Sequence, residues 1–286
     1  MRAVQRIFAG DVQGCADELG DLVARIENEI GRDYELWLVG DVVNRGPASL
    51  RALQQLRALQ DGGRARVVLG NHDLSLLRVA YGQRDLAPDD TFQEVLEAGD
   101  AESWLEWVRG WPLVESGRLG AQDFAMVHAS VAPGWSLDEL AANARRVEER
   151  LRESRREAKR LLAAKPSDDP DADVLARLTR ARSVDARGRW SSREPATPGD
   201  AWHRRWSALD PRYGVVYGHW ATQGLHVAPN LRGLDTGCVY HGAYGDRYLT
   251  AWLPSGDDAT PFAIPDERFW RIPGRLRRPR LRRENG

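Results

Sequence analysis

Cysteine is nearly absent from this chain: Cys15 and Cys238 are the only two among 286 residues. Two thiols cannot build the disulfide framework of a small secreted domain, and they exclude iron–sulfur and four-cysteine zinc designs. Lysine is equally scarce, with Lys159 and Lys165 alone among 41 basic residues. That skew reads as coding bias and is too general to mark a site. Net charge is almost nil, 41 basic against 42 acidic residues leaving −1, so no global field draws the chain to nucleic acid or to a lipid surface. No run approaches the roughly 18 apolar residues a membrane span needs, and the start MRAVQRIFAGD lacks the apolar stretch of a secretory signal. These absences predict a soluble, cytoplasmic protein with no membrane partner, and no obligate protein partner is expected.

What is present is a set of short apolar runs, each ending in residues that bind metals or move protons: RIFAGDVQG, LWLVGDVVNRG, RVVLGNHD, FAMVHA and GVVYGHW. They deliver Asp11, Asp41, Asn71, His72, Asp73, His128 and His219 from predicted strand ends. Open α/β sheets bind ligands at the carboxyl ends of their strands, where loops converge on one crevice. Glycine before aspartate lets the chain turn sharply, so that the carboxylate folds back over the strand tip. One Gly-Asp pair would mean little, since turns are full of them; two, followed by GNHD and two later strand-end histidines, form a constellation.

Three strand–loop–helix units open the chain, with helical spacing at Leu19, Leu22, Val23, Ile26 and Ile30, then at Leu50, Leu53, Leu56 and Leu59, then at Leu74, Leu76, Leu77 and Ala80. Alternation of this kind predicts an α/β fold. Residues 91 to 111 read as helical, with Trp104, Trp107 and Trp111 as a core stripe. A heavily charged helical stretch from about 136 to 165, a loop, and a second Arg-rich stretch to about 210 differ in composition from their flanks. They predict a mainly helical inserted cap over 136–210, between core segments 1–135 and 211–265. Apolar runs at Val215–Tyr217, Leu231–Leu234 and Tyr248–Trp252 predict antiparallel strands closing the sheets. Residues 266–286 read as a basic tail, with eight arginines between Arg268 and Arg283. The tail is taken as a solvated arm, a phosphate-rich partner being the alternative.

Oxygen and imidazole donors without thiolate suit Mn²⁺, Fe²⁺, Co²⁺ or Zn²⁺. Two such ions roughly 3.5 to 4 Å apart clamp the attacking and leaving oxygens of a phosphoryl transfer. The expectation is therefore two divalent metal ions, Mn²⁺ first, serving phosphate ester or anhydride hydrolysis.

The ordered motifs resemble the phosphoprotein-phosphatase branch of the metallophosphoesterases, whose fold is a two-sheet β-sandwich core flanked by helices. GDVQGC, NRGPASL, GNHDLSLL, GHWA and LDTGC resemble one subfamily in particular, the symmetrical bis(5′-nucleosyl)-tetraphosphatases. The likeness covers residues 7 to about 130 and 175 to 252. It implies that Asp11 binds the first metal, Asp41 bridges both, and Asn71, His128 and His219 hold the second. It implies His72 as general acid, oriented by Asp73, and Arg45 as a phosphate grip beside Asn44. A hydroxide bridging the two metals would attack phosphorus in line, giving two ADP from diadenosine tetraphosphate, and capped RNA 5′ ends would be a related substrate. Gln13 stands where relatives generally have histidine; its amide oxygen is a weaker, neutral donor, which predicts a weaker first site. Arg180 and Arg182 resemble a Thr-Arg-x-Arg stretch that would meet the polyphosphate, the alternative being a solvated helix face.

Several residues are read as structural. His203, His226 and His241 lie outside the strand-end motifs, and Cys15 is expected to be a small packed side chain. Trp220 either packs beneath His219 or lines a base pocket. A protein Ser/Thr phosphatase is the alternative enzyme, against which Asp73 argues because those relatives usually carry glutamate there. A non-catalytic nucleotide sensor is the alternative outside enzymes.

Overall fold

The computed structural model describes residues 4–240, 247–255, 259–263 and 268–275. His241 and most of the arginine-rich tail lie outside the described residues. The chain opens with β1 (Gln5–Ala9), α1 (Ala16–Glu29), β2 (Tyr34–Leu38), α2 (Ser49–Asp61), β3 (Ala65–Val67) and α3 (Asn71–Ala80). Two short helices, α4 (Gln93–Leu96) and α5 (Ala101–Arg109), lead to the hairpin β4 (Val114–Leu119) and β5 (Gln122–Val127). The helical insert follows: α6 (Leu137–Glu153), α7 (Arg155–Ala163), α8 (Pro170–Arg180), the small hairpin β6 (Ser183–Val184) and β7 (Trp190–Ser191), and α9 (Trp202–Ser207). The chain then closes with β8 (Gly214–Tyr217), β9 (His226–Ala228), β10 (Leu231–Gly233), β11 (Asp235–Thr236), β12 (Tyr248–Trp252) and β13 (Phe269–Pro273).

Two sheets result. One runs β11-β12-β1-β2-β3 with β13 on β12, the other β4-β5-β8-β10-β9. Period-2 alternation explains why they stack. Ile7 and Ala9 of β1, Leu36 and Leu38 of β2, Ala125 and Val127 of β5, and Val215 and Tyr217 of β8 all join the core beneath the helices. The alternate residues Phe8, Trp37, Phe124, Met126 and Val216 join Trp252 and Phe262 in a separate layer. At its centre Phe8 lies 5.3 Å from Phe124 edge-on and 5.4 Å from Trp252. Strands buried on both faces read as continuous apolar runs, which is why they were visible in the sequence.

Four expectations need correction. Gly214–Tyr217 is parallel to both neighbours, β5 and β10, and not antiparallel, because the chain loops out through β9 before returning as β10. The long helix over 136–165 breaks at Ser154, whose backbone is extended and whose hydroxyl accepts the Glu157 N–H at 3.1 Å, capping α7. The helix over 91–111 is likewise two helices, although its tryptophans do stack edge-to-face as a core stripe. Finally, Phe269–Pro273 pairs along all of β12. The core sheet therefore extends past 265 into what read as tail.

The stretch from α6 to α9 shares its core with the sheet-flanking helices: Leu140, Val147, Leu151, Leu161, Leu175, Leu178 and Trp202 all belong to it. Its polar bonds also cross: Glu148 accepts the Leu113 N–H at 2.7 Å, and the Ala129 N–H donates to the Leu178 carbonyl at 2.8 Å. No helix of the described residues is long and apolar enough to cross a membrane.

Candidate active site

The carboxyl ends of β1, β2 and β3, parallel in the first sheet, and of β5 and β8, parallel in the second, bring the expected donors together. Sharp turns are needed there, and the backbone shows them. Of eight non-glycine residues with positive φ among the described residues, Gln13, Asp41, Asn44, Arg45 and His219 belong to this cluster. Each such conformation costs on the order of 1–3 kcal/mol and persists only where its surroundings enforce it. Two glycines are dictated by close approach: a Cβ on Gly70 would collide with the Asp41 carboxylate, and one on Gly218 with that of Asp11.

Three potential ligand atoms converge from the second sheet and α3. His128 Nδ1–H donates to the Val39 carbonyl at 2.8 Å, which turns Nε2 to the site. His219 Nε2–H donates to the Arg180 carbonyl at 3.1 Å, which leaves Nδ1 facing inward. The side-chain oxygen of Asn71 lies 3.1 Å from His128 Nε2 and 2.7 Å from His219 Nδ1. Among protein atoms alone the amide is better satisfied when turned, with its NH₂ toward the two rings and the Thr179 carbonyl. A cation between the rings calls for the oxygen instead. Imidazoles fixed by carbonyls on their outer nitrogens are how metal-ligating histidines are oriented.

Asp11, Asp41 and His128 bring ligand atoms within 4.8 Å of one another, all buried. Asp41 accepts the His72 N–H at 2.7 Å and lies 3.4 Å from His128 Nε2. The electrostatics of this group ask for a cation. Burial, reinforced by Asp235, holds the Asp11 carboxyl well above its ordinary range. Burial likewise pushes Asp235 up to about 6. Burial alone would lower His128, but the charges of Asp41 and Asp11 raise it to about 10. Asp41 is the one carboxyl held low: burial opposes its ionisation, and the His128 and His72 rings outweigh that. Several buried carboxyls compensated by the His128 ring, set among imidazole and amide donors, fit divalent cations.

His72 is held by a different partner than expected. Asn44 Nδ2 donates to His72 Nδ1 at 2.9 Å and to Asp90 Oδ1 at 2.8 Å, and Asp90 is itself gripped by Arg84 at 2.6 Å. An amide NH₂ on Nδ1 selects the tautomer with its proton on Nε2, the nitrogen 3.9 Å from Asp41 Oδ2. Burial is the largest influence on the His72 pKa and lowers it, against the raising charge of Asp41. Asp73, by contrast, ties two loops: its carboxylate accepts the N–H groups of Asp41, Val42 and Gly70 at 2.9, 3.0 and 2.9 Å. It therefore fixes the backbone around the site, and its carboxylate is engaged there and not on the His72 ring. Asn44, expected at the substrate, has both ends of its amide engaged, its Oδ1 accepting the Arg45 and Thr91 N–H groups at 2.8 and 2.9 Å.

The remaining candidates take different places. The Arg45 guanidinium pairs with Asp89, so a phosphate reaching Arg45 must displace a carboxylate. Arg180 touches the site through its main-chain carbonyl, and its side chain is exposed. Arg182 reaches the Ser192 carbonyl at 2.8 Å and the His219 carbonyl at 3.4 Å. Trp220 is buried and donates to Glu194 at 2.8 Å, which is packing. Gln13 lies in the first-metal loop, its amide hydrogen-bonded to Tyr240. The His203 and His226 rings lie 4.3 Å apart and tilted, and burial lowers them to about 3 and 4, so both are neutral. Three residues went unread in the sequence: Asp235, Tyr240 and Asp90. The LDTGC motif could have flagged Asp235, a carboxylate directly after a strand; nothing local marks the other two.

Comparison with known proteins identifies the family of the chain. The calcineurin-like phosphoesterase family matches residues 6–223. Symmetrical bis(5′-nucleosyl)-tetraphosphatase is the name of a Janthinobacterium sp. (strain Marseille) relative, 39% identical over 84% of this chain and 91% of its own. A Bordetella pertussis relative of the same name is 38% identical over 82% and 88%. A crystal structure provisionally described as a diadenosine tetraphosphatase superposes with a TM-score of 0.60 at 23% identity, covering 96% of this chain and 95% of its own. A Saccharomyces cerevisiae protein serine/threonine phosphatase superposes at 0.55 and 14% identity, covering 97% and 82%, a likeness of fold alone. The chain belongs to the calcineurin-like phosphoesterases and, within them, to the symmetrical bis(5′-nucleosyl)-tetraphosphatase group.

Proposed function

We propose that the protein hydrolyses dinucleoside tetraphosphates symmetrically, diadenosine tetraphosphate giving two ADP, with two divalent cations, Mn²⁺ preferred. The observation that carries this is the convergence of His128 Nε2, His219 Nδ1, Asn71, Asp41 and Asp11 beside His72, in a chain so similar to relatives of that name. When bound, the cations supply Lewis-acid polarisation of the phosphoryl oxygens and a water acidified toward neutral pKa.

The chain's own residues do the rest. Asn71, His128 and His219 would hold one cation, and Asp11 and Gln13 the other. The buried Asp41 carboxylate, 3.4 Å from His128 Nε2 and 3.9 Å from His72 Nε2, would be available to both. His72 gives its Nε2 proton to the departing phosphate oxygen from the doubly protonated ring, which is left neutral, a step typically worth about 10²–10⁴-fold. The N-terminus of α3, with His72 in its first turn, favours the phosphate's negative charge. Arg45 exchanges Asp89 for a phosphate, which its fork matches with two N–H donors. Gln13, held by Tyr240, gives the first site a neutral donor and so the weaker affinity.

Chromatography of products from diadenosine tetraphosphate with Mn²⁺ tests this. Two ADP are expected; ATP plus AMP would overturn the symmetrical assignment. Capped RNA carries the same dinucleoside polyphosphate at its 5′ end and is proposed as a secondary substrate acting in the cytoplasm. The protein-phosphatase reading has only the shared fold in its favour.

A further inference from the structure

The two cysteines of the chain, 223 positions apart, meet in the fold. Cys15 Sγ, a Glu18 carboxylate oxygen and Cys238 Sγ all lie within 4.8 Å of one another, and Cys15 and Glu18 are 0% exposed and Cys238 5%. We propose that these three side chains form a third cation site, apart from the phosphoesterase centre, that takes one thiophilic divalent cation such as Zn²⁺ or Cd²⁺.

The local structure is built for it. Cys15 precedes α1 and Glu18 is three residues on, so both face the same side of the first turn. Cys238 arrives from the loop after β11. The segment after β13 roofs the cluster: the Arg275 N–H donates to Glu18 Oε1 at 2.8 Å, and Gly274 lies so close to the Cys238 carbonyl that a Cβ there would collide with it. The Arg275 guanidinium turns outward to Asp17 and Asp21, both at 2.9 Å.

The spacing and charge suit a metal. Ligand lengths of about 2.3 Å for sulfur and about 2.1 Å for oxygen place donors no more than about 4.6 Å apart, close to the span already present. On binding, both thiols lose their protons to water, and two thiolates with one carboxylate leave a net charge of −1 around a divalent ion. That residual charge is favoured at the N-terminus of α1. Thiolates select soft and borderline ions, whereas the oxygen and nitrogen donors of the phosphoesterase centre do not. Cys15 lies two residues from Gln13 and Cys238 three from Asp235, so occupation ties together the two loops that flank Asp11.

The test uses the full-length protein, loaded with Mn²⁺ and titrated with Cd²⁺ under reducing conditions. Because the chain has only two cysteines, a thiolate-to-cadmium charge-transfer band in the ultraviolet reports this site alone, whatever Cd²⁺ does at the other centre. One equivalent is expected to saturate the band. Cys15→Ser and Cys238→Ser should each cut its intensity about twofold and weaken binding at least about tenfold, and Glu18→Gln should weaken binding while leaving the band. In wild-type protein Cd²⁺ should also protect both thiols from alkylation, a measurement independent of any variant's folding. No band at one equivalent, a band unchanged in either serine variant, or thiols alkylated as fast with Cd²⁺ as without would each overturn the site.

Discussion

Asp169 and Asp171 in the insert, and Asp11 and Asp235 at the strand ends, are all carboxylates with restricted access to water, yet they are held in opposite states. Burial opposes ionisation of Asp169 and Asp171, but Arg150 bonds to them at 3.0 and 2.8 Å and Arg146 to Asp171 at 2.5 Å, and their carboxyls sit below the ordinary range. At Asp11 and Asp235 burial wins, with further anions adding to it, and the carboxyls sit above. The difference separates scaffold from site. Asp169 and Asp171 each have an arginine, so their charge is closed within the protein. At the strand ends the fold gathers anions and lone pairs and leaves the compensating charge to come from outside, as metal sites do.

His72→Ala should lower kcat on diadenosine tetraphosphate by about 10²–10⁴-fold with metal content unchanged. Asn44→Ala should lower it by roughly 10–100-fold, since it leaves His72 in place without its tautomer-selecting partner. The Asn44 effect should fall on kcat with KM little altered, and should shrink with substrates whose leaving group needs no proton. An equal loss on activated and unactivated substrates would make Asn44 merely structural. Metal analysis alongside the rates would expose any variant that acts by losing cations.

Chelation sharpens the contrast between the two carboxylate groups. With the carboxyl of Asp235 raised from 3.8 to about 6, the folded state binds protons more tightly than the unfolded one. Its contribution is therefore complete below about 4 and lost as pH rises through about 6. His128, raised from 6.5 to about 10, acts in the same direction between those values. The metal-free protein should thus lose on the order of 3 kcal/mol between pH 4 and 7 in urea unfolding, and Mn²⁺ should reverse the slope. The arginine-paired carboxylates have the opposite sign: their stabilisation is present above 3.8 and lost only as pH falls further. A metal-free protein whose stability is flat or rising from pH 5 to 7 would show that the strand-end anions are compensated from within.

Much of this was legible in the sequence because the same physics produced both signals. Strands buried on two faces must be continuously apolar, and residues beyond their tips must turn, so RIFAGD and VVYGH announced both the sheets and the donors. The tautomer relay was not legible. Asn44 meets Asp90 across 46 positions, from a polar stretch with no periodicity, and only the folded loops bring them together. Asp73 misled for a related reason: adjacency to His72 in sequence suggests a side-chain pair, whereas at the third position of α3 the carboxylate turns back to the main chain. The break at Ser154 did carry a local signal, Ser154 with Glu157 three residues on, the serine–glutamate spacing of a helix start, but it was submerged in a uniformly charged helix-forming run. β4 was missed because an edge strand with one solvated face, VESGRL, has too few apolar residues to stand out.

The smallest expected effect probes the insert's side of the contrast. Arg150 donates to Glu157, Asp169 and Asp171 at once and is 24% exposed. Replacing it with methionine keeps much of the aliphatic stem and removes the one cation shared by three carboxylates. We expect Arg150→Met to cost about 2 kcal/mol at pH 7, read as a lowered urea midpoint. The deficit should narrow below pH 4, where those carboxylates protonate and no longer need a partner. Turnover with saturating metal should stay near wild type, because Arg150 touches no site residue. The insert does reach the site, however, through the Arg180 carbonyl on His219 at the far end of α8. A large fall in kcat without any loss of stability would therefore mean that the arginine network positions His219, and that the line between scaffold and site runs through α8 itself.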